Sequence, residues 1–407
     1  MSEESNSDIS CSESSDQPCE MTNNLNLNGK IIGNYNIIYE IGRGGYSIVW
    51  LAYNISDCKY YALKVQDPNE FNDGLDEVKF VSTLPTEPDC FNNIVEYFIK
   101  TVNNFKYLCS VWNLHATNLD TIIRKGNYEK GIPQDMANKI MKQLVTAVNI
   151  LHNKYKVFHG DIKPDNIFIK GVNEKDKIII DQYNKADFTG KYRQAKINFW
   201  IHKGKNIKNI DKMDTKTKTS IREVIHKDII DSIKFDNTGN NDFILTLDNC
   251  KVSLGDFGTY CSEDNYYEDS FGTRYYQAPE IILGGKCTYP VDIWALGCTY
   301  FELLTGSLLF DPIKDSQYSR DYYHLALIKD TCGDFCPNFL NSTKKYKYFF
   351  TKKHKLIDYK LIESNRLDRK LKESNLKNKD TIKSLLSEII AIIPSSRPKI
   401  SALIKNF

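Results

Sequence analysis

The 407-residue chain carries 54 Lys and Arg residues against 52 Asp and Glu residues, which leaves a formal net charge of +2. A balance this even excludes a chain-wide preference for nucleic acid or for a charged membrane surface, so any charge preference must be local. The eleven cysteines form no CxxC pair, and no apolar run is long enough to cross a bilayer. These features predict a globular intracellular protein, in the cytoplasm or the nucleus or both.

The first 29 residues contain few large apolar groups, so they are predicted to be disordered. Their stretch MSEESNSDISCSESSDQPCE is acidic and Ser-rich and has no apolar core, which excludes a secretory signal. Two interpretations stay open for this segment: an unstructured tail, or a regulatory arm that becomes phosphorylated.

Residues 30–112 are predicted to form a small β-rich lobe. Runs rich in β-branched and aromatic residues predict an antiparallel sheet of about five strands, and these runs are YNIIYEIG, SIVWLAYN, KYYALKVQ and KYLCSVW. The stretch GLDEVKFVSTL, between two of the strands, predicts one helix.

Residues 113–407 are predicted to form a larger, mostly helical lobe. Its first long helix is indicated by an apolar stripe at three- and four-residue spacing, which consists of Met136, Ile140, Leu144, Val148 and Leu151. Pro133 stands near the start of that helix, where its missing N–H costs nothing.

A glycine-rich hairpin is the first candidate binding site in the small lobe. In IGRGGYSIVW, Gly42 and Gly44 lie between two β-like runs, and glycine lets a backbone approach polyphosphate closely. Such a pair is more often an ordinary turn, and Ser47 at the third position argues against a dinucleotide fingerprint.

An ordered series of motifs follows, and its order makes chance an unreasonable explanation. The series consists of Lys64 on a strand, Glu77 on the helix, HGDIKPDN at residues 159–166, LGDFG at 254–258, APE at 278–280, DIWALG at 292–297 and Arg397. With it the chain resembles a eukaryotic protein kinase over residues 35–407, apart from one insertion. The resemblance implies a bilobal α+β fold that binds ATP and Mg²⁺.

The resemblance also implies roles for single residues. Asp161 would orient the substrate hydroxyl and accept its proton, and Lys163 would steady the transferring γ-phosphoryl group. Lys64, held by Glu77, would bind the α- and β-phosphates. The two Mg²⁺ ions would be held by Asn166 and Asp256. The nucleotide would contact Ile41, Gly42, Gly44, Val49, Ala62, Lys64 and Phe168.

Further positions refine this resemblance. Lys163 in the DxKPxN form and Thr273 before APE are typical of serine/threonine kinases. Trp112 falls at the position behind the adenine, where an indole would close the back of the pocket or simply fill the core.

Two pairs of residues and one single aspartate would have structural roles by the same resemblance. His159 and Phe257 would stack, so His159 is read as structural rather than as a proton carrier. Glu280 and Arg397 would form a buried ion pair, and Asp292 would brace the catalytic loop.

Gly160 stands where many kinases have an arginine that binds a phosphate on the activation loop. That loop has acids of its own, namely Glu263, Asp264, Glu268 and Asp269. We therefore expect activity without activation-loop phosphorylation.

Residues 171–242 are identified as an insertion, because about 90 residues separate Asn166 from Asp256. An insertion at this place resembles the SR-protein kinases, as do LDEVKF, LFDPIKDSQYSRDYYHLALI at residues 309–328 and FFTKKHKL at 349–356. This resemblance implies a monomer with protein substrates rich in Arg and Ser and no direct nucleic-acid contact. The acidic groove of that family keeps Asp330, whereas Tyr323 replaces another acid, for which Asp321 could compensate.

Within the insertion, Ser220 and Glu223 suggest a capping box ahead of a helical stripe formed by Ile221, Val224, Ile225, Ile229 and Ile233. The stretch INFWIHKG adds aromatic residues that look exposed. The helix could pack on its own lobe or dock a partner. A different class of function also stays open, a catalytically silent scaffold, although the chain keeps Lys64, Asp161 and Asp256. A kinase that phosphorylates small molecules is a third, remote alternative.

Overall fold

The computed structural model describes residues 25–102, 104–235, 244–262, 271–314, 317–360, 362, 366–374 and 376–407. The chain forms two compact units, and each unit is built from three separate stretches of the sequence. The first comprises the chain up to Asp76 together with Val95–Trp112 and Tyr183–Ile233, and the second comprises Glu77–Ile94, Asn113–Gln182 and Lys234–Phe407. No helix within the described ranges has the length and apolarity needed to cross a membrane.

The first unit is built on a six-stranded sheet in the order β1-β2-β3-β4-β6-β5. Its strands are β1 (Ile31–Ile32), β2 (Tyr35–Arg43), β3 (Ser47–Asn54), β4 (Lys59–Gln66), β5 (Ile94–Val102) and β6 (Phe105–Trp112). The four predicted strands are confirmed. Strand β5 was not predicted, and it is an edge strand whose Val95, Tyr97 and Ile99 side chains are exposed. Helix α1 (Phe71–Val81) begins three residues earlier and ends three residues earlier than the predicted helix.

One face of this sheet carries the core of the first unit. Its members lie on the inward positions of neighbouring strands, and they include Ile37, Ile48, Trp50, Leu63 and Val111. Leu25 and Leu27, inside the segment predicted to be disordered, pack against this cluster. Residues 1–24 lie outside the described residues.

The insertion contributes two helices to the first unit, α5 (Phe188–His202) and α6 (Thr215–Ser232), after α4 (Glu174–Lys185). Helix α6 is fixed to strand β2 by buried hydrogen bonds. The Arg222 guanidinium donates to Asn36 Oδ1 at 3.0 Å, Asn36 Nδ2 donates to the Tyr183 hydroxyl at 3.1 Å, and His226 Nε2 donates to the Ile37 carbonyl at 2.9 Å. The insertion therefore packs on the sheet of the first unit through polar contacts that leave few buried groups unpaired.

Three predictions for the insertion were wrong in detail. Helix α6 begins at Thr215 with Asp214 as its N-cap, so Ser220 lies inside the helix and forms no capping box. Ile229 and Ile233 of the predicted stripe are buried, but the buried face also contains Arg222 and His226, and Val224 of the stripe is 62% exposed. A buried polar pair breaks the apolar period from which the stripe was read. Trp200 is buried rather than exposed, because α5 packs its indole against the following turn.

The second unit is mostly helical. Its helices are α2 (Leu119–Lys125), α3 (Gln134–Ile150), α7 (Pro279–Ile282), α8 (Pro290–Thr305), α9 (Arg320–Cys332), α10 (Pro337–Asn341), α11 (Tyr346–Phe349), α12 (Arg366–Glu373), α13 (Lys379–Ile389) and α14 (Ile400–Leu403). The strands β7 (His115–Asn118), β9 (Ile167–Lys170) and β10 (Val252–Leu254) form one small sheet, and β8 (Val157–Phe158) pairs with β11 (Cys261–Ser262). The predicted stripe of α3 is confirmed, since Ile140, Leu144, Val148 and Leu151 are fully buried.

Candidate active site

The catalytic loop is held from below by Asp292, which lies in the first turn of α8. Its Oδ2 accepts hydrogen bonds from the His159 N–H and from His152 Nε2, both at 2.8 Å, and its Oδ1 accepts from the Gly160 N–H at 2.9 Å. Burial by itself would raise the pKa of this carboxyl, but the donors, led by His152, outweigh burial and lower the pKa. The predicted brace is confirmed.

Gly160 is required by the backbone. Its φ is +83°, in the left-handed region, and a Cβ there would lie 2.8 Å from the Thr259 carbonyl oxygen. Any other residue would strain the loop one position before Asp161.

Asp161 lies at the centre of a hydrogen-bonded cluster. Its Oδ1 accepts from the Thr273 N–H at 2.7 Å, and its Oδ2 lies 2.9 Å from the Lys163 ammonium. Asn166 Nδ2 donates to the Asp161 carbonyl at 2.9 Å, which holds the loop closed. Burial would raise the pKa of Asp161, but Lys163 and then Thr273 outweigh it and hold the pKa below its usual value. The carboxylate is therefore ionised and oriented at neutral pH.

Asn166 and Asp256 are brought together by the pairing of β9 with β10. The register places Leu254 opposite Ile167, and the Gly255 N–H donates to the Asn166 carbonyl at 3.0 Å. Both candidate metal ligands therefore lie at the same end of this strand pair, and Asp256 is exposed there with φ of +60°.

This donor set fits Mg²⁺, which prefers hard oxygen ligands and usually keeps water and substrate phosphates in its coordination shell. In the described part of the chain no three His, Cys, Asp or Glu residues form a metal cluster. A site of one carboxylate and one amide oxygen, completed by phosphates, does not need such a cluster.

The DFG segment is anchored by aromatic packing. The Phe257 ring lies 4.9 Å from His159 and 5.6 Å from Phe80 between centroids, and the Phe257 N–H donates to Glu77 Oε1 at 3.3 Å. His159 Nδ1 accepts from the Asp161 N–H at 3.2 Å, and its Nε2 donates to the Gly255 carbonyl at 3.1 Å. Both ring nitrogens are thus occupied, as a structural role for His159 requires.

The predicted nucleotide-binding residues of the first unit share one face of its sheet. Val49 lies opposite Gly42 on one side and opposite Lys64 on the other, and Ala62 follows the same face two residues before Lys64. The intervening residues point into the core instead. The remaining predicted contacts, Ile41 and Gly44, lie in β2 and in the turn that follows it, and Phe168 lies on β9 of the second unit. The pairing of Lys64 with Glu77 stays a prediction.

Trp112 is opposite Ala62 in the register of β4 and β6. Its indole is buried, and its Nε1 donates to the Ser110 hydroxyl at 2.8 Å. The indole is therefore fixed beside Ala62, on the face that carries the predicted nucleotide contacts.

An acidic cluster beside the catalytic loop was missed in the sequence. The Arg124 side chain contacts Asp120 and Glu302, and the Tyr276 hydroxyl donates to Glu302 at 2.5 Å. Burial raises the pKa of Glu302 to about 7, and it raises the pKa of Asp165, with Asp120 adding to both shifts. Two carboxylates, those of Asp120 and Glu302, thus contact one guanidinium, and Lys163 and this guanidinium partly offset the rise in the pKa of Asp165. A signal was present, since Glu302 is an acid near the end of a helix in which every residue from Val291 to Thr305 is buried.

The end of the activation segment is fixed to the second unit by Glu280 and Arg397. The guanidinium donates to both carboxylate oxygens, at 2.6 and 2.8 Å, and both side chains are buried. The predicted ion pair is confirmed. Arg274 of the same segment pairs with Asp321 of α9. The predicted loop acids at 263, 264, 268 and 269 lie outside the described residues.

Asp330, the acid expected in a docking groove, is engaged within its own unit. Its carboxylate accepts from the Ile362 N–H at 2.9 Å and from the Tyr359 hydroxyl. Asp330 therefore caps the segment that follows α11.

The sheet unit, the braced catalytic loop and the DFG segment define a protein kinase fold. A crystal structure of a kinase domain has the same fold, with a TM-score of 0.62 and 20% identity over 91% of this chain and 94% of that chain. The protein kinase domain model matches residues 35–189 and 207–406, so the chain belongs to the protein kinase domain family.

Named relatives define the branch. A relative from Acanthamoeba polyphaga mimivirus, whose name describes a serine/threonine-protein kinase, is 25% identical over 92% of this chain and 86% of its own. The serine/threonine-protein kinase SRPK of Physarum polycephalum is 29% identical over 79% of this chain and 72% of its own, and human SRSF protein kinase 3 is 22% identical over 80% and 76%. The chain is a serine/threonine protein kinase that resembles the SR-protein kinases, and its family implies ATP and protein substrates.

Proposed function

We propose that the chain phosphorylates serines flanked by arginine, with Asp161 as the base that orients and deprotonates the hydroxyl. The observation that supports this proposal is the acidic cluster, because the half-buried Asp165 lies in the catalytic loop, where burial and the neighbouring Asp120 raise its pKa despite Lys163 and Arg124. A substrate guanidinium could pair with Asp165 through a charge-assisted hydrogen bond, which is among the stronger ones in proteins. Glu302 is buried and already bonded to Tyr276 and Arg124, so it would act only through its charge.

The chemical step needs positioning and charge compensation more than covalent chemistry. Lys163, fixed by Asp161 and Thr273, would steady the transferring group. Lys64 would bind the α- and β-phosphates, with Ile41, Gly42, Gly44, Val49, Ala62 and Phe168 around the nucleotide. Mg²⁺ held by Asn166 and Asp256 would supply neutralisation of the phosphate charge.

We also propose that activity does not require activation-loop phosphorylation. The segment end is already tied to the catalytic loop, since Thr273 bonds Asp161 through its N–H and Lys163 through its hydroxyl. Gly160 offers no cation for a phosphate. Phosphatase-treated protein is expected to keep its full rate, and a large loss of rate would contradict this part of the proposal.

An intracellular location is part of the proposal. Nine cysteines within the described ranges are free thiols, which suits a reducing compartment.

The substrate proposal is tested with three matched peptides, an Arg/Ser repeat, the same repeat with Lys for Arg, and the same repeat with Ala for Arg. Wild-type protein should prefer the Arg peptide. Asp161→Asn should lower kcat by about 10²- to 10⁴-fold on every peptide, as expected for loss of a general base.

Asp165→Asn distinguishes catalysis from substrate recognition. We expect it to lower kcat/KM on the Arg peptide by about tenfold or more, the worth of one charged hydrogen bond, and to leave the Ala peptide unchanged. An equal loss on all peptides would contradict the assignment of Asp165 to arginine recognition. If wild-type protein binds ATP and labels none of the peptides, the catalytic proposal itself fails.

A further inference from the structure

The insertion carries a strong local excess of positive charge. Residues 185–218 contain ten Lys and Arg residues against three Asp residues, in a chain whose net charge is +2. Six exposed side chains define what we call the insert basic surface, namely Lys191, Arg193, Lys203, Lys205, Lys208 and Lys212. Within the described ranges, none of these six has a carboxylate within 4.0 Å. The surface therefore has unbalanced charge available for an anionic partner.

This surface rests on packed structure. The Thr189 hydroxyl, in the first turn of α5, lies 2.9 Å from the Tyr53 hydroxyl of β3. At the other end of α5, Trp200 is buried and its Nε1 donates to the Asn206 carbonyl at 2.9 Å. The backbone that carries these charges is therefore fixed by packing at both ends of α5.

The chain itself contains a segment of opposite charge. Residues 1–24, which we call the acidic segment, contain six Asp and Glu residues and no Lys or Arg. The six Lys and Arg side chains of the insert basic surface match these six acids in number and have the opposite charge, so the two stretches are complementary. The chain therefore contains its own candidate partner for the insert basic surface.

The acidic segment joins the described chain close to the insertion. The Gly29 N–H donates to the Ile37 carbonyl at 3.0 Å, and His226 Nε2 of α6 donates to the same oxygen at 2.9 Å. Leu25, four residues before Gly29, packs on the core of the same unit. Four fully extended residues span about 14 Å and the two hydrogen bonds add about 6 Å, so the acidic segment ends within about 20 Å of the His226 side chain of α6.

The length of the acidic segment is sufficient to reach the surface. Fully extended, 24 residues span up to about 80 Å, and α5, with 15 residues, is about 22 Å long. A tether of this length keeps its far end at an effective concentration on the order of 1 mM.

We propose that the acidic segment binds the insert basic surface of the same molecule and shields it from other polyanions. The contact is electrostatic, so it weakens as salt shortens the Debye length from about 10 Å at 0.1 M to about 4 Å at 0.5 M. Nucleic acid and a second copy of the chain are the competing occupants, and the test distinguishes all three.

The first measurement is zero-length carbodiimide cross-linking of the full chain, with peptide mapping of the monomer fraction. We expect links from carboxylates of residues 1–24 to Lys191, Lys203 and Lys208, reduced severalfold at 0.5 M salt. The exposed Lys352 and Lys353 serve as reference amines. Links to the insertion no more frequent than links to these references would overturn the proposal, and links found only between chains would replace it with a second copy.

The second measurement uses two full-length variants and a labelled 20-nucleotide polyuridylate. One variant has all six acids of the acidic segment changed to their amides, and it should bind the probe about tenfold more tightly than wild-type protein, because the competitor is lost. The other has Lys191, Arg193, Lys208 and Lys212 changed to Gln, and it should lose the cross-link to the retained Lys203 as well as binding of the probe. Equal probe affinity in wild-type and amide variants would overturn the proposal. Matching melting temperatures establish that both variants are folded.

Discussion

Arg397 is expected to be one of the residues on which the second unit depends most. Its guanidinium makes two bonds to Glu280 and also donates to three backbone carbonyls, those of Pro290, Ala391 and Ile392, at 2.8 to 3.2 Å. Arg397→Met would leave the buried Glu280 carboxylate without its counterion and three carbonyls without a donor. Breaking a buried pair from one side costs about 3–5 kcal/mol, so we expect a loss in this range.

The double variant Glu280→Leu/Arg397→Met separates the charge from the packing. Removing both charges at once leaves no uncompensated ion, and apolar pairs of similar size often replace buried ion pairs with little loss. We therefore expect the double variant to be more stable than Arg397→Met alone, with the carbonyls accounting for about 1 kcal/mol each of the remaining loss.

The assay must report on the second unit alone, since a chain with two units need not unfold in one step. Native-state hydrogen exchange of peptides from α8 provides the local opening free energy. Trp294 of α8, whose ring centroid lies 5.0 Å from the Arg397 guanidinium, gives a fluorescence check. Two results would refute the reasoning. One is a fall of less than 1 kcal/mol in the opening free energy of Arg397→Met. The other is a fall in the double variant equal to the sum of the falls in Arg397→Met and in Glu280→Leu measured separately.

Three further predictions concern the catalytic loop and its surroundings. Gly160→Ala should destabilise the second unit by at least about 1–2 kcal/mol and lower kcat, because a left-handed residue gains a Cβ in contact with the Thr259 carbonyl; an unchanged melting temperature would contradict this. Asp292→Asn should lower kcat at least about tenfold, since an amide cannot accept hydrogen bonds through both of its heavy atoms; peptide kinetics at saturating ATP test it. The folded state raises the Glu302 pKa from 4.5 to about 7, so it binds this proton more tightly than the unfolded chain and loses stability as pH rises through this window. Glu302→Gln should therefore gain stability relative to wild-type protein between pH 5 and 8, by up to about 3 kcal/mol, and a difference that is flat with pH would count against the shift.

Several features of the protein were determined by its sequence alone. The period of the apolar residues indicated the four central strands and helix α3, because burial on one face leaves a period of two or of about 3.6 residues in the chain. The catalytic series was legible for a related reason. Phosphoryl transfer needs a carboxylate, an amide and cations at fixed offsets on short loops, so Asp161, Lys163 and Asn166 stand close together in the sequence.

Only the tertiary structure determined the features that depend on contacts between residues far apart in the sequence. Helix α6 buries Arg222 and His226 because Asn36, Tyr183 and the Ile37 carbonyl, up to 189 residues away in the chain, supply most of their hydrogen-bond partners. The spacing of apolar residues within one segment cannot reveal such distant partners. The stripe predicted from the isoleucines therefore differs from the buried face of α6.

The same limit applied to the site. The contact of Asp120 and Glu302 with one guanidinium joins separate elements, and the raised pKa of Glu302 exists only once that group is buried. Gly160 illustrates both what the sequence shows and what only the folded structure shows. Its identity can be read from the sequence, but the reason for a glycine, a positive φ against the Thr259 carbonyl, is fixed only by the folded loop.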